Sequence, residues 1–234
     1  NVSLLVFPEL AVTGYTCGDL FNHRSFIDAA MKGVEDIVKA TEGKKMLTFV
    51  GAPIRNAGKL YDCAVAIFDG KILGIVLKTH LANYGESYEA RSFMQAPADR
   101  EWVLLDDEGN GFFFGTKQLF EMKGMEDFTV ACEIGEDLWT INPPSSSHAA
   151  AGATVIVNLS ASAEIVGRAE KRRELVRSQS AKICGAYIYA NAGSGESTTD
   201  GVFSGHSIIA ENGKILSERK PFDEGMQTAV IDVH

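Results

Sequence analysis

Apolar residues fall along this chain in short unbroken runs separated by stretches with helical spacing. Leu4-Leu5-Val6-Phe7 is apolar on both faces, which predicts a strand covered from either side, and Ile72 to Leu77, Phe128 to Ile134, Val155-Ile156-Val157-Asn158 and Tyr187-Ile188-Tyr189-Ala190 likewise read as strands. Met46 to Val50 and Cys63 to Phe68 read as further strands. Ser25 to Ala40 places Phe26, Ala30, Val34, Ile37 and Val38 at helical spacing, Ala169 to Cys184 is helical and basic on one face, and Pro143-Pro144-Ser145 opens a helix toward Ala151. Asp69-Gly70 and Asn212-Gly213 sit between apolar runs as hairpin turns. Strand-helix units interrupted by antiparallel hairpins predict an α/β chain folded as a four-layer αββα sandwich, two mixed sheets face to face with helices outside.

Three of the runs end on a reactive-type side chain or on its empty place. Glu9 follows the first, and a carboxylate beside such a run is either a strand-end group in solvent or one that is paired. Lys78 closes the second; it is a solvated strand end or, beside a buried glutamate, half of a charge pair able to stabilise an anion. The third run enters Gly135-Glu136-Asp137-Leu138-Trp139, a tight acidic turn shaped to lift one side chain into a cleft. Thiol chemistry on an amide there needs a cysteine with a base and an oxyanion partner. The tip residue is glycine, however, and Cys132 lies three positions back, on the opposite face by period-two alternation.

With 234 residues, 45% of them hydrophobic, the chain has the make-up of one ordinary globular domain, 1–234. A net charge of −9 disfavours nucleic acid and anionic membrane surfaces as partners, and no apolar run approaches membrane length. Cys17, Cys63, Cys132 and Cys184 fit no metal spacing and read as reduced thiols of a cytoplasmic protein. The five histidines form no ligand set, so no metal is expected, and His80 reads as an ordinary loop residue. The run Glu170 to Glu174, with Arg177 beyond, reads as a solvated face or a subunit contact before an anion-binding one. Gly193 to Thr199 lacks the lysine and following helix of a phosphate loop and reads as a turn-rich loop flanking a pocket. The text starts abruptly at Asn1 and ends strand-like at Val230 to His234, so a fragment is expected.

The segments FPELAVTGY, LKTHLANYGESYEARSF, EIGEDLW, NPPS, NLSAS, GRAEKRRELVRSQSA and AGSGESTTD, in this order, resemble the glutaminase domain of glutamine-dependent NAD synthetases, a branch of the nitrilase (carbon-nitrogen hydrolase) superfamily. The resemblance implies the nitrilase-type sandwich with a first strand missing here, a general base at Glu9, an oxyanion-holding lysine at Lys78, and a second glutamate at Glu89. It puts the family's nucleophilic cysteine at Gly135 and substrate contacts at Tyr15, Tyr84, Glu136, Trp139, Ser162 and Arg168. Glutamine is the implied substrate and a synthetase domain the implied partner, in a homo-oligomer. No cofactor is implied for this domain; ATP and Mg belong to the synthetase domain, which these residues do not include. Loss of a covalent nucleophile costs orders of magnitude in rate, so weak or no glutaminase activity is expected. Another nitrilase-type amidase and a non-catalytic glutamine-binding or assembly module are the alternatives.

Overall fold

A computed structural model describes residues 2–98, 100–105 and 109–233; Asn1 and His234, the outermost residues of the two abrupt ends, lie outside the described residues. Two six-stranded sheets face each other. In the first, β1 (Leu4–Val6), β2 (Leu47–Asn56), β3 (Lys59–Phe68), β4 (Lys71–Leu77), β6 (Gly111–Gly115) and β5 (Trp102–Leu105) lie side by side in that order. In the second the order is β12 (Lys214–Glu218), β11 (Ile208–Glu211), β10 (Ala186–Asn191), β9 (Val155–Ser160), β8 (Met125–Ile134) and β7 (Leu119–Met122). Both are mixed, with β1 parallel to β2, β4 to β6, and β8, β9 and β10 parallel to one another.

The period of each segment decides which layer it joins. Alternate residues of β2, β3 and β4 point inward as Phe49, Ala64, Ala66 and Val76, meeting Val130, Cys132, Ile134, Val157 and Leu159 of the second sheet in the central layer. The other residues of the first sheet, among them Val50, Ala52, Val65 and Ile75, pack outward with Val34 and its neighbours on α1 (Arg24–Ala40). Ile156, Tyr187 and Ile208 of the second sheet pack outward with Val176 of α3 (Arg168–Ile183), while α2 (Pro144–Ala150) lies beside them against β8. The result is the αββα sandwich expected from the pattern. No helix among the described residues is long and apolar enough to cross a membrane.

Four expectations are corrected. Leu4 to Phe7 is not covered on both faces: β1 is the edge strand, its residues are half-buried and Phe7 is exposed. Val230 to Val233 forms no strand; Ile231 and Val233 lean on the central layer while Val230 stays in solvent, so apolar content here meets no free sheet edge. The run Glu170 to Glu174 is a solvated face except at Arg172, which is fully buried and donates to Glu164 and the ring of His206. The strands at Val50 and Cys63 continue to Asn56 and back from Lys59 around Ala57-Gly58 as one long hairpin.

Candidate active site

The first sheet delivers two charged side chains to one end of the sandwich. After β1 the backbone at Pro8 and Glu9 crosses directly over Gly51 of β2, so closely that a β-carbon at Gly51 would lie 2.6 Å from the Pro8 carbonyl oxygen and 2.8 Å from the Glu9 carbonyl carbon. Any larger residue at 51 would push this turn away and take Glu9 with it. Lys78 leaves the end of β4 next to β3, its N–H donating to the Asp62 carbonyl at 3.0 Å. Both side chains are deeply buried, each residue 2% exposed, which excludes the solvated strand ends left open above.

The Lys78 ammonium donates to Glu9 Oε1 and, at 2.7 Å, to Glu89 Oε1; Asp62 Oδ2 lies 3.8 Å away. Burial by itself would depress the lysine pKa, but Glu89, Glu9 and Asp62 together hold it well above its ordinary value. Glu89 is raised by burial against the counter-pull of Lys78. Its Oε2 accepts the Ala82 N–H at 2.8 Å, and its Oε1 also accepts the Tyr15 hydroxyl at 2.8 Å. The second oxygen of Glu9 accepts the Ala161 N–H, just past β9, at 2.8 Å. Glu9 is thus clamped between the two sheets.

The second sheet brings the acidic turn to the same place. Gly135 has φ of +48°, the left-handed region open to glycine at little cost. A β-carbon built on it would point at 2.5 Å from Glu9 Oε2 and 3.1 Å from Lys78 Nζ. Cys132, three residues back, lies in the central layer, its pKa raised by burial first and then by Glu133. The turn is held from both sides. Asp137 accepts the N–H groups of Ile134 (3.0 Å), Thr79 (3.3 Å) and His80 (2.8 Å), and pairs with the His80 ring at 2.9 Å, so it ties the elbow to the segment after Lys78. Its hydrogen bond is the main reason the His80 pKa is raised, and His80 is no ordinary loop residue. Behind the turn the Gly135 N–H donates to Asn158 Oδ1 at 3.1 Å, Asn158 donates to the Tyr187 hydroxyl at 3.1 Å, and that hydroxyl donates to Glu133. Burial lifts the Glu133 pKa to about 7.

All ten residues singled out from the sequence line one cavity. Glu9, Lys78, Glu89, Tyr15 and Gly135 form its floor. At the mouth, the exposed Tyr84 donates to both oxygens of Glu136 at 2.9 and 3.0 Å. The Arg168 guanidinium stacks 5.0 Å from the centre of the Trp139 ring, 3.6 Å from Glu86. The Ser162 N–H donates to Asn191 and its hydroxyl accepts from Arg172 at 3.3 Å. The loop at Gly193 to Thr199 flanks the cavity as expected: Glu196 accepts the N–H groups of Tyr15 and Thr16, both at 2.9 Å. Sequence reading passed over Asp62, Asp137 and Glu133. For Asp62 the available signal was a single acid inside the apolar text Leu60-Tyr61-Asp62-Cys63-Ala64-Val65.

A floor of paired acid and lysine thus lies beneath the elbow, and the mouth carries the Glu136 carboxylate held by Tyr84 and the Arg168 guanidinium stacked on Trp139. Comparison with known proteins gives the family and the fold. The model of the carbon-nitrogen hydrolase family matches residues 1–234. The glutamine-dependent NAD(+) synthetase of Mycobacterium tuberculosis is 42% identical over 233 residues, covering 100% of this chain and 34% of the relative; this chain thus spans about a third of that protein's length. A crystal structure of a glutamine-dependent NAD(+) synthetase from Cytophaga hutchinsonii superposes with a TM-score of 0.85 at 28% identity, over 99% of this chain and 37% of the other. An amidase from Nesterenkonia sp. shares the fold, with a TM-score of 0.70 at 19% identity, over 96% of this chain and 75% of the other.

Proposed function

We propose, on the premise that this chain belongs to the carbon-nitrogen hydrolase family, that it is a glutamine-amide site of the kind that supplies ammonia to a NAD synthetase domain, with its nucleophile replaced by Gly135. The observation that carries this is the direction of the Gly135 α-carbon: a side chain there would meet Glu9 and Lys78 together. A thiol at that point would lose its proton to Glu9 and attack the amide carbon, with the oxyanion facing Lys78. Collapse of that adduct would break the C–N bond, ammonia leaving with the proton held by Glu9, and water activated by Glu9 would then release glutamate from the thioester. Gly135 removes the attacking atom and leaves every other group in place, so this chain binds glutamine and turns it over weakly or not at all.

The mouth of the cavity supports the choice of amide. Arg168, fixed on the Trp139 ring, offers a partner for an α-carboxylate, and Glu136, held by Tyr84, offers one for an α-ammonium. Glu89, Tyr15 and Ser162 shape the inner wall. This favours glutamine over the simple amides of other nitrilase-type amidases. An active site fed to a neighbouring ATP- and Mg-using domain, within a cytoplasmic homo-oligomer, completes the reading.

Calorimetric titration of the unaltered chain tests it. A charge-assisted hydrogen bond is worth about 1.5–3 kcal/mol, so Arg168→Met is expected to weaken glutamine binding by roughly 10- to 100-fold. Butyramide, which lacks the amino-acid end, is expected to bind weakly and to be indifferent to that substitution. Equal affinity for the two amides in the unaltered chain would instead favour a general amidase.

A further inference from the structure

Three carboxyl groups crowd one ammonium in the floor of the cavity, and only two of them have donors. Asp62 lies on β3, 1% exposed, with Oδ2 3.8 Å from Lys78 Nζ. Neither of its side-chain oxygens has a hydrogen-bond partner, whereas Glu9 and Glu89 each take a lysine proton and a backbone N–H. A buried carboxylate without a donor bears the full cost of leaving water. With a proton the same group becomes a donor; Glu9 and Glu89 are both held on the ammonium that lies 3.8 Å from Asp62 Oδ2, and of the two Glu9 is the one whose charge acts more strongly on it. Two ionised carboxylates offer each other no hydrogen bond, so the contact exists only when one of them is an acid.

We propose that Asp62 is a positioning residue that remains a neutral carboxylic acid in the folded protein and donates its proton to Glu9, holding that carboxylate beside Lys78. The groups facing it are Glu9 from the turn after β1, Lys78 from the end of β4, Glu89 from the short turn at 89–91, and the thiol of Cys132 from β8 of the opposite sheet. One cation cannot neutralise three anions, and Glu9 and Glu89 already occupy it. Burial and then the Glu9 charge both push the Asp62 pKa well above its ordinary value, in agreement with the geometry. The consequence for catalysis rests on the reading of Glu9 as general base: Asp62 is then one of the interacting groups whose protons shape the pH dependence of the rate.

Infrared spectroscopy of the unaltered chain, with aspartate labelled by ¹³C at the side-chain carboxyl, reads the proton directly. The expected result at pH 8 is a carbonyl stretch of a protonated acid that shifts with the aspartate label and is lost in Asp62→Asn. The label separates it from Glu133, and no variant is needed to see the band. Stability gives a second readout. An acid whose pKa rises on folding contributes stability that is complete below about pH 4, the unfolded value, and is lost as pH rises through the folded value. Asp62→Asn is therefore expected to gain on the unaltered chain as pH climbs from about 4 to 8. In a Gly135→Cys background, Asp62→Asn is expected to move the acid limb of the kcat/KM profile. Absence of a labelled acid band at pH 8, or a stability difference that does not change with pH, overturns the proposal; so does an unmoved pH profile in an active Gly135→Cys enzyme. Failure of Gly135→Cys to gain any activity would count against the function proposed above and leave the infrared result to decide Asp62 by itself.

Discussion

Gly135→Cys is expected to raise ammonia release from glutamine by at least about a thousandfold, since removing the covalent nucleophile of a hydrolase typically costs several orders of magnitude while binding and oxyanion contacts survive. Glu9, Lys78 and the elbow already stand in place, with the Cβ direction of residue 135 aimed between Glu9 and Lys78. The substitution also carries a structural penalty. A β-carbon at φ +48° costs about 1–2 kcal/mol, and Glu9 Oε2, 2.5 Å from that carbon, must withdraw. The carboxylate end of a side chain moves more cheaply than backbone, so the variant is expected to fold with a melting temperature lower by a few degrees. Activity gained together with stability lost is the signature of a strained elbow; activity without any stability change would mean that the backbone at 135 relaxes.

Lys78→Met is expected to be the most destabilising single change in the site. It takes the cation from between Glu9 and Glu89, and breaking a buried ion pair from one side costs about 3–5 kcal/mol. The loss should depend on pH with a definite sign. Without Lys78 the folded-state pKa values of Glu89 and Asp62, already raised by burial, rise further above their unfolded values, so the variant loses stability as pH increases and recovers part of it as pH falls toward 5. Urea denaturation at pH 5 and pH 8 checks this. A penalty equal at both pH values would show that lost packing, and not uncompensated charge, dominates.

The layers of this fold were readable because periods of two and 3.6 residues are local properties. Long runs such as Phe128 to Ile134 and the helical spacing of Ser25 to Ala40 each report which side is buried without knowledge of their neighbours. Short strands carry less of this signal: β5, β6 and β7 have four or five residues each, and Phe112-Phe113-Phe114 is apolar throughout although Phe113 is exposed. Edge position is also a property of the whole sheet, which is why the coverage of Leu4 to Phe7 was misjudged. Strand ends announced Glu9, Lys78 and Gly135, because a polar residue after an apolar run marks the rim of a sheet. Asp62 sits in mid-strand, and its meeting with Lys78 depends on the β3–β4 register, which pairs Cys63 with Leu77. Arg172 was missed for a related reason: it sits among exposed charges in the sequence, and its partners are Glu164, in the segment just before α3, and His206 from the connection between β10 and β11.

Glutamine titration with parallel ammonia detection on the unaltered chain decides whether the cavity is a glutamine site complete but for one side chain. Saturable binding with no ammonia above background is expected, and ammonia from Gly135→Cys under the same conditions. Ammonia released by the unaltered chain and abolished by Cys132→Ser would contradict it, because Cys132 would then have to leave the central layer between the sheets and reach Glu9 and Lys78.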